Sequence, residues 1–206
     1  PGDWPDLVPE PGEVVVDLVA AALNRRDWWI RRNPARGTPP LVLGSDGAGR
    51  VSALGAGVTG VAVGDEVVLY PGRGWGPRED APGPDFEILG VPRQGTYAER
   101  IAVPAELVFP KPAGLSFAEA ASLPVAGLTA WRALTTRGRV GSGGTVLVTG
   151  AAAGTGVFAV QIAAALGARV LVTTSSDAKL ARLRSLGAAD GADRRDPAWP
   201  QAIRAL

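Results

Sequence analysis

The chain has 206 residues, with 21 Lys and Arg against 20 Asp and Glu, and contains no Cys, His or Met. Those absences exclude a disulfide framework, thiolate chemistry, a Ser-His-Asp triad and an imidazole base, and they remove the usual ligands of zinc enzymes. A formal charge of +1 gives no field for nucleic acid or an acidic membrane surface, and no apolar run reaches the roughly 18 residues of a membrane span. A cytoplasmic protein acting on small molecules is expected, with neither nucleic acid nor membrane as partner. The opening Pro1-Gly2-Asp3-Trp4 has no initiator Met and no secretory pattern, so it reads as something other than a native N-terminus.

Residues 1–114 are rich in Gly and Pro and carry short β-type runs at 13–19, 48–54, 65–70 and 97–103. Turn signals at Gly44, Gly55-Ala56-Gly57, Gly64 and Pro71-Gly72 separate them, a spacing that predicts a small barrel or sandwich. One short helix is predicted near 24–31, and the stretch from Pro71 to Gly95, with five Pro, reads as an irregular loop. From Ser116 the texture changes. Ser116-Phe117-Ala118-Glu119 is a capping box, so a helix starts there and runs through Leu134, bent or restarted at Pro124. Strands at 145–149 and 169–173 then alternate with helices at 154–166 and 177–186, and a further helix starts within 197–206. Val- and Leu-rich strands in that alternation predict parallel βαβ units. Residues 115–206 hold only the first half of a doubly wound dinucleotide domain, so a fragment or an incomplete sequence is expected.

The stretch from Val146 to Val157 sends a buried strand into a Gly/Ala loop and out into an apolar helix. Small residues let backbone N–H groups approach a pyrophosphate, and the helix N-terminus adds free donors, which points to Gly150, Ala151, Ala153, Gly154, Thr155, Gly156 and Val157. A tight strand-helix turn is the plainer reading. Ala151 and Ala153 stand where a strict G-x-G-x-x-G has its first two glycines, and only Gly156 matches the third. At the end of the second strand, where an acid would hold a ribose, stand Thr174, Ser175, Ser176 and, further on, Lys179. Hydroxyls with a cation suit a 2′-phosphate, so NADP is expected, with NAD possible. Ser176 and Asp177 could equally cap the next helix. Earlier, Gly44-Ser45-Asp46-Gly47-Ala48-Gly49, then Gly55 and Val58, form a second glycine pattern that could also be strand ends and a bulge.

These residues resemble the medium-chain dehydrogenase/reductase superfamily. The 44–58 spacing resembles the zinc alcohol dehydrogenase signature, with Ser45 in place of its His ligand and Asp46 in place of its Glu. The segment matching its Cys ligand is Leu23-Asn24-Arg25-Arg26-Asp27. Gly95-Thr96-Tyr97-Ala98-Glu99, Leu128-Thr129-Ala130-Trp131 and Gly154-Thr155-Gly156 followed by Gln161 resemble further motifs of the zinc-independent, quinone oxidoreductase-like branch. The resemblance implies a GroES-like β-barrel catalytic domain over 1–114 and the first half of a Rossmann-type parallel βαβ domain over 115–206, with cofactor and substrate in the cleft between them. It also implies a possible homodimer once the Rossmann domain is complete.

The implied activity is NADPH-dependent hydride transfer to a quinone, enone or similar acceptor without metal. A non-catalytic nucleotide-binding module and an enoyl-reductase domain of a larger synthase are the competing readings. Asn24, Asp46 and Tyr97 are the catalytic candidates, and Thr129 matches a cofactor-contacting threonine of the family. Against these stand plainer roles: Asn24 as a helix cap, Tyr97 as strand packing, Thr129 as a hydroxyl bonded to the preceding turn, and Ser45 and Asp46 as remnants of the old metal position. Asp27 is expected to pair with a neighbouring Arg. The arginines at 25, 26, 31, 32 and 36 form either a solvated helix face or a binding site for an acidic substrate tail or phosphate. Trp28 and Trp29 cannot share a helix face, so one is expected in the core and the other lining the cleft.

Overall fold

The computed structural model describes residues 5–33 and 41–206. The chain divides into two compact units, one up to Val125 and one from Ala126 to Leu206.

In the first unit, the β-branched run at 14–16 opens strand β1 (Glu13–Ala22), and the helix α1 (Arg25–Arg32) follows after Asn24. Strands β2 (Asp46–Leu54) and β3 (Glu66–Leu69) come next, then β4 (Gly72–Arg73), β5 (Glu87–Leu89) and β6 (Pro92–Arg93), and finally β7 (Arg100–Pro104) and β8 (Val108–Pro110). Five of them form an antiparallel sheet in the order β7-β1-β2-β3-β8. Its core is Val14, Val16, Val51, Val67, Leu69, Leu89, Ile101 and Val103, all buried, as alternation along half-buried strands requires. The β1–β2 register slips at Val15/Val16 and again at Leu18/Ala20. Gly49 sits at the second slip, where a Cβ would lie 2.0 Å from the Asp17 carbonyl oxygen. The second glycine pattern therefore marks a close strand approach.

Three expectations are corrected in this unit. Residues 71–95 are not wholly irregular: β4, β5 and β6 form a second small sheet, steadied by Trp75 against Phe86 at 4.9 Å between ring centres. Strands of two or three residues, one containing Pro92, carry no alternation that a sequence could display. Tyr97 lies in a bend, because β7 begins only at Arg100. Neither Trp28 nor Trp29 is in the core; they are 45% and 53% exposed and stack edge-on at 5.2 Å. Arg25 and Arg32 flank the Trp28 ring, one helical turn to each side, so cation–π stacking replaces burial.

The helix from Ser116 does restart at Pro124, as α2 (Phe117–Ser122) and α3 (Pro124–Arg132), followed by a wide turn over Ala133–Arg137. The capping box forms in full. The Ser116 N–H donates to Glu119 at 2.8 Å, and the Glu119 N–H donates to the Ser116 hydroxyl at 3.3 Å. Ser116→Ala is expected to cost about 1 kcal/mol in denaturant unfolding.

The second unit is a parallel sheet in the order β11-β10-β9, from β9 (Thr145–Val148), β10 (Arg169–Thr174) and β11 (Asp190–Asp193). Helices α4 (Gly154–Ala165), α5 (Asp177–Ser185) and α6 (Trp199–Ala205) alternate with the strands. Val160, Val170, Val172 and Leu183 are buried in its core together with Ala130 and Leu134. The α/β class and the parallel βαβ order thus stand as expected, with β11 an additional strand. Among the described residues, no helix is long and apolar enough to cross a membrane.

Candidate functional site

Asn24 precedes α1 in extended conformation, at φ −118° and ψ 149°. Its backbone N–H is bound by Asp27 Oδ2 at 2.8 Å, which ties the helix start down. In the side chain, Asn24 Nδ2 donates to Asp46 Oδ2 at 2.7 Å. The other oxygen of Asp46 accepts from the Val125 N–H at 2.9 Å. Asp46 is only 1% exposed, and burial pushes its carboxyl up to about 6, against the pull of the Asn24 and Val125 hydrogen bonds.

Asp27 is buried and, contrary to expectation, pairs with no arginine among the described residues. Its Oδ2 also accepts from the Tyr97 hydroxyl at 2.7 Å, while its Oδ1 is buried without a hydrogen-bond partner among the described residues. Burial, and then the Asp27 carboxylate that accepts its proton, hold the Tyr97 hydroxyl well above the usual phenol range. That hydroxyl is set to donate a hydrogen bond, not to lose its proton. The structure thus joins all three catalytic candidates in one network: Asp46 to Asn24, Asn24 to Asp27, Asp27 to Tyr97.

Sequence reading missed the role of Arg26. It turns inward from α1, and its Nη1 donates both to the Ser45 hydroxyl and to the Leu89 carbonyl oxygen, the latter at 2.7 Å. Ser45 Oγ donates in turn to the same Leu89 oxygen at 2.7 Å. Arg25, Arg31 and Arg32 stay exposed, and Arg36 lies outside the described residues. The Ser45 oxygen is thus committed to a guanidinium. Without an imidazole or thiolate anywhere in the sequence, these residues do not fit a zinc ion.

In the second unit, Gly150 lies within the turn after β9 at φ +62°, and its N–H donates to Thr173 Oγ1 at 3.1 Å. Ala151 is fully buried in the core, so its side chain faces the sheet, not a ligand. Ala153 occupies the N-cap of α4 in extended conformation, and no side chain caps the helix. The first N–H groups of α4, at Gly154, Thr155 and Gly156, therefore have no acceptor from a cap or from the helix itself. At the end of β10, Thr174 is buried and its hydroxyl has no partner among the described residues. Ser176 does cap α5, accepting from the Lys179 N–H at 3.4 Å, while Lys179 Nζ lies 3.2 Å from Ser175 Oγ. Thr129 stands on α3, and Val157 opens the α4 ladder by donating to the Ala153 carbonyl oxygen.

The chain thus sets a mainly antiparallel unit with a buried polar network before a parallel unit with a glycine turn. Residues 10–113 match the Alcohol dehydrogenase GroES-like domain family, and the chain belongs to the medium-chain dehydrogenase/reductase superfamily. It is 40% identical over 197 residues to a zinc-type alcohol dehydrogenase-like protein of Schizosaccharomyces pombe, covering 92% of this chain and 56% of that one. It is also 40% identical over 189 residues to the 2-methylene-furan-3-one reductase of Solanum lycopersicum, covering 89% and 45%. A segment of a polyketide synthase of Streptomyces halstedii is 37% identical over 96% of this chain and 3% of its own length. The crystal structure of an NAD-dependent alcohol dehydrogenase superposes with a TM-score of 0.95 at 44% identity, covering all of this chain and 62% of that one. The chain thus spans about half the length of the curated dehydrogenase- and reductase-type relatives it matches.

Proposed function

We propose that the chain belongs to an NADPH-dependent reductase that delivers hydride to an activated acceptor, a quinone or enone, without zinc. The observation that carries this reading is the uncapped start of α4 behind a parallel strand, where free N–H groups and the helix dipole suit a pyrophosphate. A reduced nicotinamide supplies the hydride when bound. The buried Thr174 hydroxyl, without a partner among the described residues, Ser175 and Lys179 supply donors for a ribose 2′-phosphate. In the first unit, Asn24 is held by Asp46 and Tyr97 by Asp27, so these side chains are fixed before any ligand arrives. With no imidazole or thiolate among these residues to help polarise an alcohol, acceptors that are already electrophilic are the fitting substrates. The similarity to a furanone reductase supports that choice. The similarity to a polyketide synthase segment supports a second reading, the same reduction performed inside a larger synthase.

The test is titration of the purified chain with NADPH and with NADH, followed by nicotinamide fluorescence, and then addition of a simple quinone. Enhancement with NADPH and turnover are expected. Lys179→Ala should weaken NADPH about tenfold and leave NADH unchanged, the scale of one lost charged hydrogen bond. Binding without turnover leaves a nucleotide-binding module; no fluorescence change with either nucleotide sinks the reading.

A further inference from the structure

Helix α1 has two chemically different faces. Arg25, Trp28 and Arg32 stack on one another in solvent. Arg26, Trp29, Ile30 and Asn33 follow at helical spacing on the other side and line a cavity of about 430 Å³. A guanidinium carries five N–H donors in a rigid fork. The two on Nη1 of Arg26 go to Ser45 and Leu89, which fixes the plane of the group. Nε and Nη2 make no hydrogen bond among the described residues, and together they form the edge that takes a carboxylate with two parallel bonds. Burial disfavours the charge of Arg26, which Asp27 and Asp46 only partly offset, and among the described residues no carboxylate reaches ion-pair distance of it. A half-buried cation held by two neutral oxygens, with its bidentate edge open, is costly unless an anion completes it. The remaining arginines of α1 leave the surroundings net positive despite those two carboxylates.

We propose that this cavity takes the carboxylate of the substrate on the Nε/Nη2 edge of Arg26, with the flat part of the substrate against Trp29 and Ile30. The proposal rests on the reductase reading for what is reduced, and on Arg26 alone for what is bound. It narrows the substrate class to unsaturated carbonyl compounds that carry a free acid group.

Binding can be measured without cofactor or turnover, so its failure is distinguishable from failure of the nicotinamide titration. Calorimetric titration of the unmodified chain with trans-cinnamate, methyl trans-cinnamate and inorganic phosphate compares the acid, its neutral ester and a bare oxyanion. The acid is expected to bind at least about tenfold more tightly than either. Arg26→Gln should remove that preference and leave the ester unchanged, which also shows that the cavity is intact; Arg26→Lys should restore part of it. Trp29→Ala should weaken acid and ester together. The proposal is overturned if the acid does not bind, if acid and ester bind alike, if phosphate binds more tightly, or if Arg26→Gln keeps the preference for the acid.

Discussion

Asp46→Asn is expected to flatten the dependence of stability on pH between about 4 and 6. The Asp46 carboxyl titrates at about 6 in the folded chain, against an ordinary value of 3.8, because burial disfavours its charge. Between those values the folded state binds more protons than the unfolded state, so stability falls as pH rises through the window. Below 3.8 the group is protonated in both states and its full benefit is present. Above about 6 it is ionised in both, and a shift of roughly two units has cost about 3 kcal/mol. Carboxyls that the folded state holds low, among them Asp193 at about 2 and Glu119, act in the opposite direction at lower pH. The difference between parent and variant therefore isolates Asp46. Urea midpoints measured at intervals from pH 4 to 7 should decline for the parent and stay level for Asp46→Asn. Parallel curves would remove the buried-carboxyl account. Asp46→Ala is a separate case, because the Asn24 amide and the Val125 N–H both lose their acceptor. About 3 kcal/mol should be lost near pH 4, and the gap to the parent should narrow as pH rises towards 6, because the variant has no carboxyl there to ionise.

The network behind that result was only half legible in the sequence. Spacing singled out Asn24, Asp46 and Tyr97, but the Asn24–Asp46 bond spans 22 residues and the Tyr97–Asp27 bond spans 70, and a linear pattern does not encode such partners. Asp27 looked like an ion-pair residue because arginines surround it in sequence. The helix start claims it instead, since one carboxylate oxygen can satisfy both the Asn24 N–H and the Tyr97 hydroxyl. Arg26 is harder still. Its spacing with Trp29, Ile30 and Asn33 is visible, but four arginines of one helix look alike until Ser45 and Leu89, 19 and 63 residues away, select one. Local signals fared better. The Ser116 capping box, the restart at Pro124 and the alternation of 145–186 depend on neighbours within a few residues, and all appear in the structure. Strand β11 marks the boundary of that rule. Asp190-Gly191-Ala192-Asp193 contains no β-branched or aromatic residue, and it is extended only because it pairs with Leu171–Thr174 of β10.

Gly156→Ala should cost about 3 kcal/mol and abolish nucleotide binding, whereas Gly154→Ala, two residues earlier on the same helix, should stay within about 1 kcal/mol of the parent. At Gly156 a Cβ would stand 2.7 Å from the Cα and carbonyl oxygen of Ala151 and 2.8 Å from its carbonyl carbon. Those are backbone atoms of a fully buried residue whose N–H is bonded to the Thr173 carbonyl oxygen at 3.1 Å. No side chain can swing aside, so either the turn or α4 must move. At Gly154 the nearest atom is the Ala126 Cβ, at an ordinary 3.9 Å. Of the three positions in a strict dinucleotide fingerprint, this chain has therefore kept glycine at the one where helix and turn touch. Alanine at the other two is explained by their surroundings: Ala151 fills the core, and Ala153 takes an extended N-cap that any residue adopts. Thermal unfolding should show Gly156→Ala lowered by about 10 °C and Gly154→Ala close to the parent. In the NADPH titration, only the Gly154 variant should retain the fluorescence change. Equal stability of the two variants would mean that the turn has slack, and the case for a rigid pyrophosphate cradle would fall with it.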